Sequence, residues 1–183
     1  MDATQIAVAI VVDCSGSMAN DSKAEAARDT AVIIGDTLHR CGVQFGVFGF
    51  TSLELTGTGR RNQSSDYPCN IEFKNFTASW TGRKDLLRHL GAYRNNYDAA
   101  SILDVYKKLL AVNAKRRILI VISDGYPCPE DSQYLKNLVP IMMQGVDVIG
   151  IGLDFTNVAK FYPDNVLCGV EDLAQKLAPV WYD

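Results

Sequence analysis

The sequence predicts an α/β fold, with a doubly wound and mostly parallel central sheet, helices on both of its faces and one antiparallel edge strand. Two patterns carry that prediction. Short, almost wholly apolar runs recur along the chain, and the stretches between them place apolar residues at helical spacing. A third observation concerns where the runs stop. Ile6–Val12 and Ile118–Ile122, two of the most apolar, lead into aspartates, Asp13 and Asp124. At 183 residues the chain fits one domain, 1–183, and its 48% hydrophobic and 21% charged residues are ordinary for a globular protein.

Ile6–Val12 is a buried strand, and Ser22-Lys23-Ala24-Glu25 reads as a capping box opening a helix. Small or apolar residues at 24, 27, 31, 34, 38 and 41 give that helix its buried stripe, and Gly42 sits where a left-handed cap would end it. Val43–Phe50 is apolar on both faces, as a central strand covered on two sides must be. The polar residues 54–69 predict a long loop, and Ile71–Phe76 an edge strand pairing back onto Phe45–Phe50. A short helix is expected over Asp85–Gly91 and a longer one over Ala99–Val112. Strand Ile118–Ile122, a helix over Asp131–Met143, strand Val146–Leu153, a short strand at Val166–Cys168 and a helix over Glu171–Val180 complete the chain. Strands separated by helices in this way imply parallel pairing.

The bulk properties exclude several classes. A net charge of −3 argues against a general nucleic-acid binder, and no apolar run is long enough to span a membrane. Met1-Asp2-Ala3-Thr4-Gln5 offers no basic segment before the first apolar run, so no secretion signal is expected. The 5 cysteines never fall in a CxxC spacing, and with only 2 histidines they make no zinc site. Reduced thiols in a cytoplasmic protein are the expectation.

Chemistry concentrates at Asp13-Cys14-Ser15-Gly16-Ser17. One carboxylate and two hydroxyls at the C-terminal tip of a buried strand are hard oxygen ligands, suited to Mg²⁺ or Mn²⁺ rather than zinc. In a doubly wound sheet, strand tips converge where the strand order reverses. There Asp124 would meet Asp13, and a divalent cation would relieve their repulsion. Gly16 lets the serine loop turn tightly. Asp124-Gly125 is also a common turn dipeptide.

Asp13-x-Ser15-x-Ser17 and the later strand-Asp124-Gly125 resemble a von Willebrand factor A domain with its metal-ion-dependent adhesion site. The resemblance is closest to the C-terminal A domain of the cobalt-chelatase large subunit of cobalamin synthesis. Leu38–Val43, Gly49-Phe50-Thr51, Asn96-Tyr97-Asp98, Arg116–Leu119 and Val121–Pro127 carry it, from Ile6 to about Leu177. It implies a Rossmann-like fold, with a bound metal that takes a glutamate or aspartate from a protein partner. It also implies a ring-forming AAA+ ATPase of the MoxR-like kind as that partner. The family pattern assigns the third metal-binding loop to Asp98, with Asn96 as the alternative ligand and a helix cap before Ala99 as the other role for Asp98. Three carboxylates around one Mg²⁺ would leave a net charge near −1, so at least one is expected to act through water or by orienting a hydroxyl. Gly16, Met18 and Tyr126, on loops expected to be exposed beside the metal, are the candidate partner contacts.

Two other classes compete. A strand ending in aspartate with a later Ser-Asp-Gly is similar to haloacid-dehalogenase-type phosphatases, but the second acid they need falls at Ser15. No Gly-x-Ser-x-Gly, Gly-x-Gly-x-x-Gly or P-loop pattern occurs, and His39 and His89 fall in predicted helices. No catalytic constellation is therefore expected. In the other class the metal only staples three loops, with no partner.

Overall fold

The computed structural model describes residues 5–20, 22–54, 66–153 and 156–168. A 6-stranded sheet runs in the order β3-β2-β1-β4-β5-β6. Its strands are β1 (Ile6–Asp13), β2 (Gln44–Glu54), β3 (Asp66–Lys74), β4 (Arg116–Ile122), β5 (Asp147–Leu153) and β6 (Asn165–Cys168). All neighbours pair in parallel except β2 and β3, which are antiparallel. The helices are α1 (Lys23–Arg40), the single turn α2 (Trp80–Arg83), α3 (Asp98–Leu110) and α4 (Pro129–Met142). Short 3₁₀ segments cover Gly16–Ala19, Lys84–His89 and Thr156–Lys160. The expected mostly parallel sheet with one antiparallel edge strand is what forms.

Strand alternation divides the core into two layers. Val8, Ile10 and Val12 of β1 face α1, joined by Ile118, Ile120 and Ile122 of β4. Ala7, Ala9 and Val11 face the opposite way with Leu119 and Val121, against Ile102, Val105 and Leu109 of α3 and Leu135 and Val139 of α4. Side chains of period two on a strand covered on both sides give this division directly. α1 buries Ala24, Ala27, Ala31, Ile34 and Leu38, the stripe read from the sequence, although Cys41 at its end is exposed. Trp80 completes this layer. It packs on Gly35 of α1, where a Cβ would come within 2.6 Å of the indole.

Several expectations shift. The polar stretch 54–69 is shorter as a loop than expected, because β2 runs to Glu54 and β3 starts at Asp66. Its middle, and the expected helix Glu171–Val180, lie outside the described residues. The predicted helix Asp85–Gly91 is the 3₁₀ segment Lys84–His89 preceded by α2. His39 and His89 are both exposed, as surface residues. Among the described residues no helix is long and apolar enough to cross a membrane, and Cys14, Cys41, Cys69 and Cys128 are free thiols.

The capping box before α1 does not form. Ser22 has φ 56°, in the left-handed region, and its side chain makes no cap hydrogen bond. Its carbonyl instead accepts the Ala26 N–H at 3.0 Å. A capping serine must be extended for its hydroxyl to reach back along the helix, so the left-handed turn and the box exclude each other. Gly42, by contrast, has the positive φ (71°) expected after the helix end. A non-glycine residue in the left-handed region costs about 1 kcal/mol or more. Ser22→Gly should therefore raise stability by about 1 kcal/mol, a gain of roughly 2–4 °C in the thermal midpoint for a domain of this size. Loss of stability in that variant would mean that the serine hydroxyl holds the turn after all.

Candidate metal centre

The sheet order reverses between β1 and β4, which pair in register up to Val12↔Ile122. Asp13 and the segment Ser123-Asp124 therefore leave the sheet side by side, both fully or almost fully buried. Asp13 Oδ1 accepts the Ser15 N–H at 2.8 Å, and Oδ2 accepts the Ser123 hydroxyl at 3.0 Å. The Ser123 Oγ in turn accepts the Gly125 N–H at 3.0 Å. The hydroxyls of Ser15 and Ser17 are hydrogen-bonded to each other at 2.9 Å, so their oxygens lie together.

A third segment closes against this pair. Tyr93 N–H donates to Cys14 O at 2.8 Å and Gly16 N–H to Arg94 O, a short parallel bridge beside the serine loop. Asn96, buried, donates to the Tyr126 carbonyl at 3.0 Å and accepts the Cys128 thiol at 3.3 Å. Its amide thus ties the third loop to the loop after β4. Asp98 opens α3 and is only 1% exposed, yet its Oδ1 has no hydrogen-bond partner. It does not cap the helix: it is the first helical residue, with Tyr97 in the cap position and no side-chain cap hydrogen bond, and the Ala99 N–H goes to Asp131 Oδ2 of α4 at 2.7 Å.

The electrostatics match the crowding. Burial pushes the Asp13 carboxyl up to about 6, with Asp124 adding to the shift and the hydrogen bonds from Ser15 and Ser123 opposing it. Burial also raises Asp98 well above the usual carboxylate range, reinforced by Asp13, Asp131 and Asp124. Asp131 is raised by burial against the hydrogen bond from Ala99. Anions this close inside low-dielectric surroundings destabilise one another unless a cation joins them.

One cation of the chain itself is present. Asp124 Oδ1 accepts the Tyr126 N–H at 3.2 Å, while Oδ2 accepts the Lys23 ammonium at 2.9 Å. The Lys23 side chain is 10% exposed and that of Asp124 0%. Gly125 then turns with φ 73° beneath the 3₁₀ segment Thr156–Lys160, where a Cβ would lie 2.5 Å from Val158 N. Only glycine satisfies both the turn and the approach.

Asp13, Ser15, Ser17, Asp98 and Asp124 therefore sit on three loops at one edge of the sheet. Among the described residues no three His, Cys, Asp or Glu side chains are close enough to hold a metal by themselves. A cation here has to draw on the serine hydroxyls and water as well, which suits Mg²⁺ with its retained waters. Of the expected contact residues Gly16 is exposed and Tyr126 is 58% exposed. Met18 is not. It is 3% exposed and packs into the layer under α1, because the 3₁₀ segment Gly16–Ala19 turns its side chain inward.

Sequence reading missed three participants: Lys23, Ser123 and Asp131. For Lys23 there was a signal, since a lysine in the first turn of a helix opposes the helix dipole and needs another partner. Ser123 and Asp131 offered none, because their partners Asp13 and Ala99 are remote in sequence.

This sheet order, with Asp-x-Ser-x-Ser at the tip of β1 and an aspartate beyond β4, defines a von Willebrand factor A (VWA) domain. Solved structures agree on the fold. A von Willebrand factor type A protein from Catenulispora acidiphila superposes with a TM-score of 0.59 at 18% identity, covering 97% of this chain and 42% of that one. The pilus adhesin SpaC from Lactobacillus rhamnosus GG gives 0.68 at 13% identity, covering 98% and 30%. The SpRpn10 VWA domain gives 0.61 at 17% identity, covering 92% and 93%. The chain thus spans less than half of the first two proteins. Residues 1–177 match the family described as the cobalamin biosynthesis protein CobT VWA domain, and the chain belongs to that family.

Asp13 gives the site a pH signature. Its ordinary value is 3.8 and its folded value about 6, so between those limits the folded chain holds a proton that the unfolded chain has lost. Stability then falls as pH rises through that window. Asp98 and Asp131, also raised, act in the same direction. Asp36, held low by the hydrogen bond from Lys84, matters only below its ordinary value of 3.8. In a metal chelator the thermal midpoint should rise as pH is lowered from 7 towards 5, and Asp13→Asn should flatten that slope. An unchanged slope in the variant would place the titration elsewhere.

Proposed function

We propose that this chain is a non-catalytic protein-binding module whose hold on its partner depends on Mg²⁺ or Mn²⁺. Asp13, Ser15, Ser17, Asp98 and Asp124 would hold the ion, with water completing its shell. The ion supplies a Lewis-acidic position that an acidic side chain of the partner can occupy. The observation that carries the reading is the Asp98 carboxylate, almost wholly buried with Oδ1 unpartnered and beside two other buried aspartates. A buried carboxylate oxygen left without a donor is a place a cation can fill. Asp98 supports the role of third-loop ligand better than Asn96, whose amide is already engaged with Tyr126 and Cys128.

Membership of the CobT VWA family supports a place in a chelatase-like assembly, with a ring-forming AAA+ ATPase as partner and ATP hydrolysis belonging to that partner. The exposed Tyr126 beside Asp124 favours docking over a metal that only staples loops. A phosphatase reading finds no support. A serine stands where the general acid should be.

Thermal unfolding of wild type and Asp13→Ala, in EDTA and with excess Mg²⁺ or Mn²⁺, tests the metal. An ion at a hundredfold its dissociation constant stabilises by about 2.7 kcal/mol, which for this size is roughly 5–10 °C. Wild type should shift by that amount and the variant should not. The metal-induced shift is the quantity to compare, because removing a buried carboxylate also changes the metal-free midpoint. No shift in wild type, together with no Mn²⁺ binding by electron paramagnetic resonance, would end the reading.

A further inference from the structure

Lys23 is the first residue of α1 and stands 101 residues from Asp124 in the chain, yet its ammonium lies 2.9 Å from the Asp124 carboxylate. Three features show that the contact is built into the fold. The helix dipole disfavours a lysine at that position, so local energetics do not explain it. The residue before it, Ser22, adopts a left-handed backbone conformation at the helix start, uncompensated by any side-chain cap. The ammonium also lies 5.8 Å from the centroid of the exposed Tyr126 ring, so the partner-facing aromatic and the buried carboxylate share one cation.

We propose that Lys23 is a tethered monovalent cation of the metal centre, sharing Asp124 with the divalent ion. The inference rests on the metal-binding reading of the site. In the metal-free protein the ammonium holds Asp124 and its loop in place. In the loaded protein it completes the charge balance. Asp13, Asp98 and Asp124 with one divalent ion leave a single net negative charge, which would repel an acidic partner, and Lys23 cancels it. Such a charge has a cost for the metal. A fixed positive group beside the ion weakens its binding, so Lys23 sets the metal affinity below what the oxygen ligands alone would give.

Lys23→Gln removes the charge and keeps a polar chain, and Lys23→Arg keeps the charge. Mn²⁺ affinity by electron paramagnetic resonance and thermal midpoints with and without chelator are measured on the full chain. Lys23→Gln should bind Mn²⁺ about tenfold more tightly. It should also melt a few degrees lower than wild type in chelator, with the gap closing at saturating Mn²⁺. Lys23→Arg should behave as wild type in both. A merely structural lysine would lower the midpoint equally with and without metal and would not raise affinity. Wild type binding Mn²⁺ with Lys23→Gln no tighter overturns the inference and leaves the metal site standing. If only Lys23→Gln binds, the lysine's opposition to the metal is upheld and the native metal site fails. If neither binds, both are overturned.

Discussion

Parallel pairing of β1 with β4 ends two neighbouring strands at the same level, and the sheet order reverses between them. Both strands are apolar and covered by helices on two sides, so the residues just beyond their ends emerge into low-dielectric surroundings. In this chain those residues are Asp13 at the end of one strand and Ser123-Asp124 after the other. Carboxylates in that position cannot be hydrated from bulk water and cannot move apart without breaking the sheet. The surrounding loops are arranged around this problem.

The arrangement spreads the negative charge over several donors. Backbone N–H groups of Ser15 and Tyr126 each take one carboxylate oxygen, the Ser123 hydroxyl takes another, and the Lys23 ammonium a fourth. Asp131 is drawn off to the N-terminus of α3, where peptide N–H groups and the helix dipole stabilise it. Asp98 keeps a buried oxygen without a donor. The site is thus rigid in most of its parts and incomplete at one.

The parts of this layout that the sequence revealed are those governed by local pattern. Short, almost wholly apolar runs marked the strands, a helical stripe marked α1, and the oxygen-rich tip of the first strand pointed to Asp13, Ser15 and Ser17. Asp98 and Asp124 emerged from family resemblance and from position after an apolar run. The parts that stayed hidden depend on contacts distant in the chain or on backbone angles. Ser22 followed by Glu25 satisfies the letters of a capping box, but the left-handed turn at Ser22 overrides them. Met18 reads as an exposed loop residue because nothing local shows that the 3₁₀ segment turns it under α1. Gly125 reads as a turn glycine, and its second constraint, the backbone of Val158 against it, comes from a segment more than thirty residues later.

Trp80 gives the α1 layer an optical property. Its indole is buried, its Nε1–H donates to Asp36 Oδ1 at 2.7 Å, and its edge meets the Phe45 ring at a centroid distance of 5.3 Å. Gly35 and Asp36, on which it rests, belong to the same helix whose first residue is Lys23. An indole in an apolar setting with its one donor engaged has an emission that depends on that packing. A slide or tilt of α1 at its metal-facing end would be transmitted along a rigid rod of helix to the indole. The helix that supplies a charge at one end therefore rests, in its second half, against a buried fluorescent gauge.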